Sequence, residues 1–461
     1  MQQLIAKYGL AAHLAILAVA PLFLFPFAGE ASTAVVLLWL SVSGCAWMIL
    51  EPSVRGRETL HEARRRVSRA IFVDPLFWAS LVLMAFAGLR CLNTGISLAY
   101  DAENAVWHIA EPVFPILPGC VGDAGRLPFA VIVAFGVCLQ GCRHSLGRSA
   151  RAAFLLIGSC LAGLSAVITL VAAYYGAAGA LAAINTPPGA FSYVGFAFGL
   201  YLLGGTVALL AVFERGWKWV VPLIFLSVGG TAAGLFAFSP VRISAFVGLV
   251  EVVLLTYTFA YSCRTLRAAG EFKLLVVGGI SFVMGGLLVA LVMPEASLSE
   301  RLSSYLALQF LPEEYWNVRA LLSGICFKSW MSHLWIGTGL SSFPLDFRFG
   351  AVDADWVALP RGAVLTANGW WHILAERGLV GIAFFVMPFG FLLFTYFRRL
   401  VDGVRLREMP HPACLLGLMA ISCFAAVGFF DCSILRGDVL MAVGSMLVVS
   451  AATFSRRKNR G

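Results

Sequence analysis

Charge is scarce in this chain: Asp, Glu, Lys and Arg together make up 12% of 461 residues, about half the share of an ordinary soluble domain. That shortage, with 60% hydrophobic residues and a mean hydropathy of +0.88, excludes an ordinary soluble enzyme. Several signatures are also missing. There is no Gly-rich phosphate loop ending in Gly-Lys-Ser/Thr, no paired-cysteine motif and no His-Glu-x-x-His, so nucleotide hydrolysis, zinc-ribbon and zinc-protease chemistry have nothing to stand on. No internal repeat, linker or low-complexity stretch divides the chain, which reads as a single membrane domain over 1–461. The eleven cysteines are mostly inside apolar runs, where cysteine behaves as a small hydrophobe. Cys138 and Cys142 lack other metal ligands nearby, and Cys91 and Cys120 could pair on an oxidising side.

What is present is a series of apolar blocks, each near the length that crosses a hydrocarbon core of ~30 Å. They predict an all-α polytopic membrane protein of about twelve transmembrane helices at 9–28, 33–50, 75–92, 127–142, 152–174, 191–213, 219–238, 243–262, 274–293, 372–396, 413–430 and 438–454. The net charge of +9 suggests nucleic acid until the charges are located. Lys7, five connections (51–72, 143–151, 214–218, 263–273 and 397–412) and the tail hold 23 of the 33 basic residues, and the same side, with Asp74, carries 8 acidic ones. The other side has the remaining 10 basic residues and 15 acidic ones, and Glu251 lies within a span. The positive-inside rule then puts both termini in the cytoplasm, and no nucleic-acid partner is expected. The basic excess is a topology signal that also suits anionic membrane lipids. The first apolar run has no clear cleavage site and is expected to be retained as a span.

One large extracytoplasmic loop, 294–371, is expected between spans nine and ten. Within it, about 316–331 reads as a helix with Val318, Leu321, Leu322, Ile325 and Ser329 along one stripe and Arg319 off it. A Gly-marked turn follows at Gly337-Thr338-Gly339, then a polar insert with Asp353 and Asp355 spaced like ligands of a hard cation or simply solvated. Trp370 and Trp371 are placed as interfacial anchors. The second longest outer loop, 92–126, carries Asp101, Glu103, Trp107, His108 and Glu111.

Ionisable groups at membrane depth are costly, so each carries a functional reading beside a bland one. Arg242, in a short connection between two spans, is either an anion clamp or a side chain snorkelling to headgroups. Arg319 has the same two readings; together the two could neutralise a pyrophosphate. His372 and Glu376 are four apart and share a helical face, as a general base with its orienting carboxylate or as an interfacial pair. His108 with Glu111 is a weaker version, His333 reads as structural, and His13 as a polar residue within a span.

Four pieces from 230 to 390 carry a resemblance: Ser239-Pro240-Val241-Arg242 at a span junction, Arg319 opening a helix, Gly337-Thr338-Gly339-Leu340-Ser341-Ser342-Phe343, and Leu374-Ala375-Glu376-Arg377-Gly378-Leu379-Val380-Gly381. In their order and spacing this region resembles the O-antigen ligase and O-antigen polymerase superfamily. The resemblance implies a glycosyltransferase of the bacterial inner membrane, without cofactor or obligatory metal. It would move a glycan from an undecaprenyl-diphosphate carrier to an acceptor glycan or lipid A-core on the outer face. Arg242 and Arg319 match the positions that hold the carrier diphosphate. His372, Asn368 and Glu376 are the expected acceptor-side residues, and a polysaccharide flippase or chain-length regulator is an expected partner. The family's usual His-Asn reads Ala367-Asn368 here, and His372, five residues on, lies ~140° away on an ideal helix. A twelve-span transporter or flippase of lipid-linked glycan and a non-catalytic assembly partner are the rival expectations.

Overall fold

The computed structural model describes 59–92, 98–101, 106–109, 313–339, 368–405 and 412–430, with single helical residues between 9 and 46, 132 and 136, 250 and 287, and 440 and 450. The described residues are helical except for one short hairpin, the turn at 333–339 and single residues at helix ends. Helices α1 (Leu60–Val73) and α2 (Pro75–Leu92) are followed by strands β1 (Leu98–Asp101) and β2 (Val106–Ile109), then α3 (Glu313–Ser332), α4 (Gly369–Arg405) and α5 (Pro412–Phe430). α4 is long and apolar enough to cross a membrane. Described helical residues fall within every expected span except 152–174, 191–213 and 219–238, which lie outside the described residues, as do Arg242, Glu251, Asp353 and Asp355.

Local chemistry sets the element ends. A reciprocal cap starts α1: Thr59 Oγ1 accepts from Glu62 N at 3.3 Å while Glu62 Oε2 accepts from Thr59 N at 2.9 Å. Hydrogen bonds from Thr59 hold the Glu62 carboxyl below its usual range. The ionised cap is therefore complete above the ordinary carboxylate range and is lost as pH falls through the lowered value. Asp74 ends α1 and caps α2, its Oδ1 accepting from Leu76 N at 3.1 Å, with Pro75 at the first helical position where no N–H is needed. The two helices meet at 77°. The hairpin pairs Ala99 with His108 and Tyr100 with Trp107. The sequence pattern predicts a loop over 92–126; in the structure Val106, Trp107 and Ile109, which suit a pleated strand, lie in β2.

α4 organises the rest. α2 packs on it through Phe86, whose ring meets Phe384 edge-on at 5.4 Å beside Gly381. α5 packs on it through Phe389 stacked on Phe424 at 5.1 Å and through the Cys414 thiol donating to Tyr396 O at 3.0 Å. Tyr396 is fully buried; its hydroxyl donates to Leu447 O at 2.6 Å and also meets Ser450. Its ring lies directly on Gly417.

Tyr396 has no room to withdraw, so Gly417→Ala is expected to lower the thermal-unfolding midpoint of the detergent-purified protein, at a cost of about 1–3 kcal/mol. Gly390→Ala, where a Cβ meets nothing within 4 Å, is expected to be neutral or slightly stabilising in the same measurement.

Candidate functional site

The site is built around a break in α4. Gly378 has φ +65° and ψ −170°, outside helical geometry, and divides the element into a short helix, 369–377, and a long one, 379–405. On an unbroken helix residues 370 and 385 would lie ~22 Å apart along the axis. Their rings are instead 6.3 Å apart, so the short helix turns back towards the long one.

A break leaves orphan carbonyls on one side and orphan N–H groups on the other. One turn satisfies both. Thr338 N donates to Ala375 O at 2.9 Å and Gly339 N donates to Glu376 O at 3.1 Å. Thr338 Oγ1 adds a second donor to Ala375 O at 3.2 Å. In return, Leu379 N donates to Leu334 O at 3.1 Å and Val380 N donates to Trp335 O at 3.0 Å. The turn itself closes with Gly337 N donating to His333 O at 2.7 Å. Main chain meets main chain here. A Cβ on Gly337 would collide with the backbone of Glu376 and Arg377, and one on Gly378 with the backbone of Trp335 and Ile336. Gly337 (φ +73°) and Gly378 both occupy left-handed backbone, so both the space and the conformation require glycine.

The short helix carries the expected acceptor-side residues. Asn368 caps it: Oδ1 accepts from Trp370 N at 3.0 Å and from Trp371 N at 3.2 Å. His372 Nε2 lies 3.2 Å from Glu376 Oε1, and both residues are buried, 4% and 5% exposed. Because the helix begins at Gly369, the rotation counted from position 367 along an ideal helix does not apply. Glu376 is held twice, its carbonyl by Gly339 and its carboxylate against His372.

Side chains fix the short helix to its neighbours. Leu322, Ile325 and Cys326 of α3 form a core with Ala375, and Trp371 packs against it. Trp371 also meets Phe327 at 5.8 Å and Trp330 at 6.0 Å. Trp370 Nε1 donates to Ala425 O of α5 at 2.9 Å. The two tryptophans, expected as interfacial anchors, are half-buried and make helix-to-helix contacts.

α3 runs from Glu313, slightly earlier than the sequence pattern placed it. It brings the backbone of Arg319 into the helix that packs on the His372 segment. Arg242 lies outside the described residues. His333 is exposed in the turn, 3.0 Å from Ser332 Oγ. His13 Nε2 lies 2.6 Å from Leu40 O and so joins two helical segments. Two buried cations were read only as outer charges: Arg90, fully buried with its guanidinium over Phe86 at 5.5 Å, and Arg377, over Phe385 at 5.8 Å. Their signal was charge at membrane depth. No protein-family model matches the chain, and no curated protein matches it.

Gly378→Ala is expected to cost about 1–3 kcal/mol from backbone strain alone. The collision with Trp335 adds to this, and detergent-purified protein should show a lower unfolding midpoint. Asn368→Ala removes the cap and is expected to cost about 1 kcal/mol. A midpoint unchanged by either substitution would contradict the geometry assigned to that residue.

Proposed function

We propose that the chain is a bacterial inner-membrane glycan polymerase or ligase, transferring a glycan from an undecaprenyl-diphosphate carrier to an acceptor sugar on the outer face. The observation that carries the reading is the union of two pieces on which the family resemblance rests. The turn containing Gly337-Thr338-Gly339 and the segment 375–380, far apart in sequence, share one set of backbone hydrogen bonds, with the buried His372–Glu376 pair beside them.

In this reading Arg242 and Arg319 bind the carrier diphosphate by charge-assisted hydrogen bonds and stabilise the negative charge it takes away as leaving group. An acceptor hydroxyl oxygen attacks the anomeric carbon as the bond to the diphosphate oxygen breaks. His372 takes the hydroxyl proton and Glu376 orients the imidazole and balances its charge. Asn368 acts by fixing the first turn of the short helix. The twelve-span topology, with both termini cytoplasmic and the 294–371 segment outside, belongs to the same proposal, as do a flippase or chain-length regulator as partner.

One observation favours a second reading, a flippase of lipid-linked glycan: a broken helix beside buried ionisable groups is a frequent feature of transporter sites. The two readings separate by experiment. For the enzyme, Arg242→Ala and Arg319→Ala abolish surface polymer while lipid-linked glycan accumulates on the outer face. His372→Ala lowers transfer by ~10²-fold or more. Polymer of normal amount and length in both arginine variants would sink the diphosphate role. Accumulation of the lipid-linked glycan on the inner face alone would favour the flippase.

A further inference from the structure

The corner between α1 and α2 presents an exposed face that no part of the proposed transfer uses. On α1, Arg65, Arg69 and Phe72 follow at helical spacing, with Val73 beside them; all four are exposed, as is Arg64. The opposite side of the helix carries Val67, which is buried. The exposed face therefore changes character along its length, from arginine to large apolar groups. Phe72 is 59% exposed and Val73 78% exposed. Trp78, on the first turn of α2, continues the apolar end at 47% exposed, and its Nε1 donates to Phe72 O at 2.9 Å. Phe72, Phe77 and Trp78 pack as one cluster, with ring centroids 5.6–6.2 Å apart.

The bend gives this face an orientation. With α2 taken across the bilayer, a 77° angle lays α1 along the membrane surface. The cap at Thr59–Glu62 and the Asp74 corner hold the helix in that pose. We propose that the α1–α2 corner is a binding surface for anionic phospholipid: Arg64, Arg65 and Arg69 meet headgroup phosphates while Phe72, Val73 and Trp78 enter the acyl boundary. The charge is complementary to an anionic leaflet, and the polarity gradient matches the one between headgroup and chain. Arginine suits the task because its fork pairs with phosphate oxygens and its stem tolerates apolar surroundings. A nucleic acid would satisfy the arginines and leave the aromatic end bare.

The surface stands independently of the transfer chemistry, so its test uses no polymer assay. The full-length protein is placed in nanodiscs of phosphatidylcholine alone or with a minority of phosphatidylglycerol, and retained lipid is counted by native mass spectrometry. The expected result is preferential retention of phosphatidylglycerol that weakens with salt. Retention should fall about fivefold for each arginine removed in Arg65→Gln and Arg69→Gln. Arg65→Lys with Arg69→Lys should keep most of the preference. Because these side chains are exposed, unfolding midpoints in phosphatidylcholine discs should be unchanged, which separates lipid binding from folding. Equal retention of the two lipids by the unaltered protein overturns the proposal. So does a preference that survives in the double glutamine variant, or a protein that co-purifies through this face while lipid retention stays constant.

Discussion

A break in a helix long and apolar enough to cross a membrane is permissible only where something replaces the hydrogen bonds it gives up, and in this chain that replacement is a single turn of backbone. In hydrocarbon an unsatisfied N–H or C=O costs several kcal/mol, and non-helical backbone survives only where protein covers it. The turn after α3 covers the break on both sides, accepting from the N–H groups of 379 and 380 and donating to the carbonyls of 375 and 376. The orientation of the short helix, the burial of His372 and Glu376, and the packing of α3 on α4 all depend on that exchange.

The same joint explains how a short helix is rigid enough to hold an ionisable pair. Isolated helices of this length are unstable in water, so the stability has to come from outside. Asn368 fixes the start, the turn fixes the end, and Trp370 and Trp371 clamp the sides to α5 and α3. Each clamp uses a different chemistry: a side-chain cap, main-chain pairing, an indole hydrogen bond and aromatic packing. The pair therefore sits on a platform whose position is set by three larger helices.

Much of the helical layout was legible because apolar length is a strong signal. The block read at 75–92 is α2, the block at 413–430 is α5 within a residue, and the stripe through Leu322 and Ile325 is the packing face of α3. The His372–Glu376 contact was legible for the same kind of reason, since a spacing of four is a helical neighbour relation. The break at Gly378 was not. Its sequence is an uninterrupted helical pattern, and the glycine becomes a requirement only when a second segment approaches. The turn that approaches was visible as Gly337-Thr338-Gly339, but nothing local says which carbonyls it will meet. The contacts of Trp370 and Trp371 with α5 and α3 are not legible either, because an aromatic residue at a membrane boundary suits lipid and protein equally by composition and only the neighbouring helices specify the partners. Arg90 and Arg377 were counted correctly as charges, yet their burial depends on Phe86, Phe385 and the fold around them.

A joint made of main chain has a particular relation to mutation. At Gly337 and Gly378 the contacting atoms are peptide groups that every amino acid shares, so apart from the Thr338 hydroxyl the hydrogen-bonded pattern carries no preference among side chains. Ile336, Leu379 and Val380 are free to drift so long as their bulk is tolerated, while Gly337 and Gly378 are held by the absence of any side chain at all and Gly339 by its φ of +128°. The joint therefore concentrates its genetic fragility into its glycines, Gly337, Gly339 and Gly378, all at positive φ, an uneven distribution that side-chain packing of the Phe389–Phe424 kind does not produce.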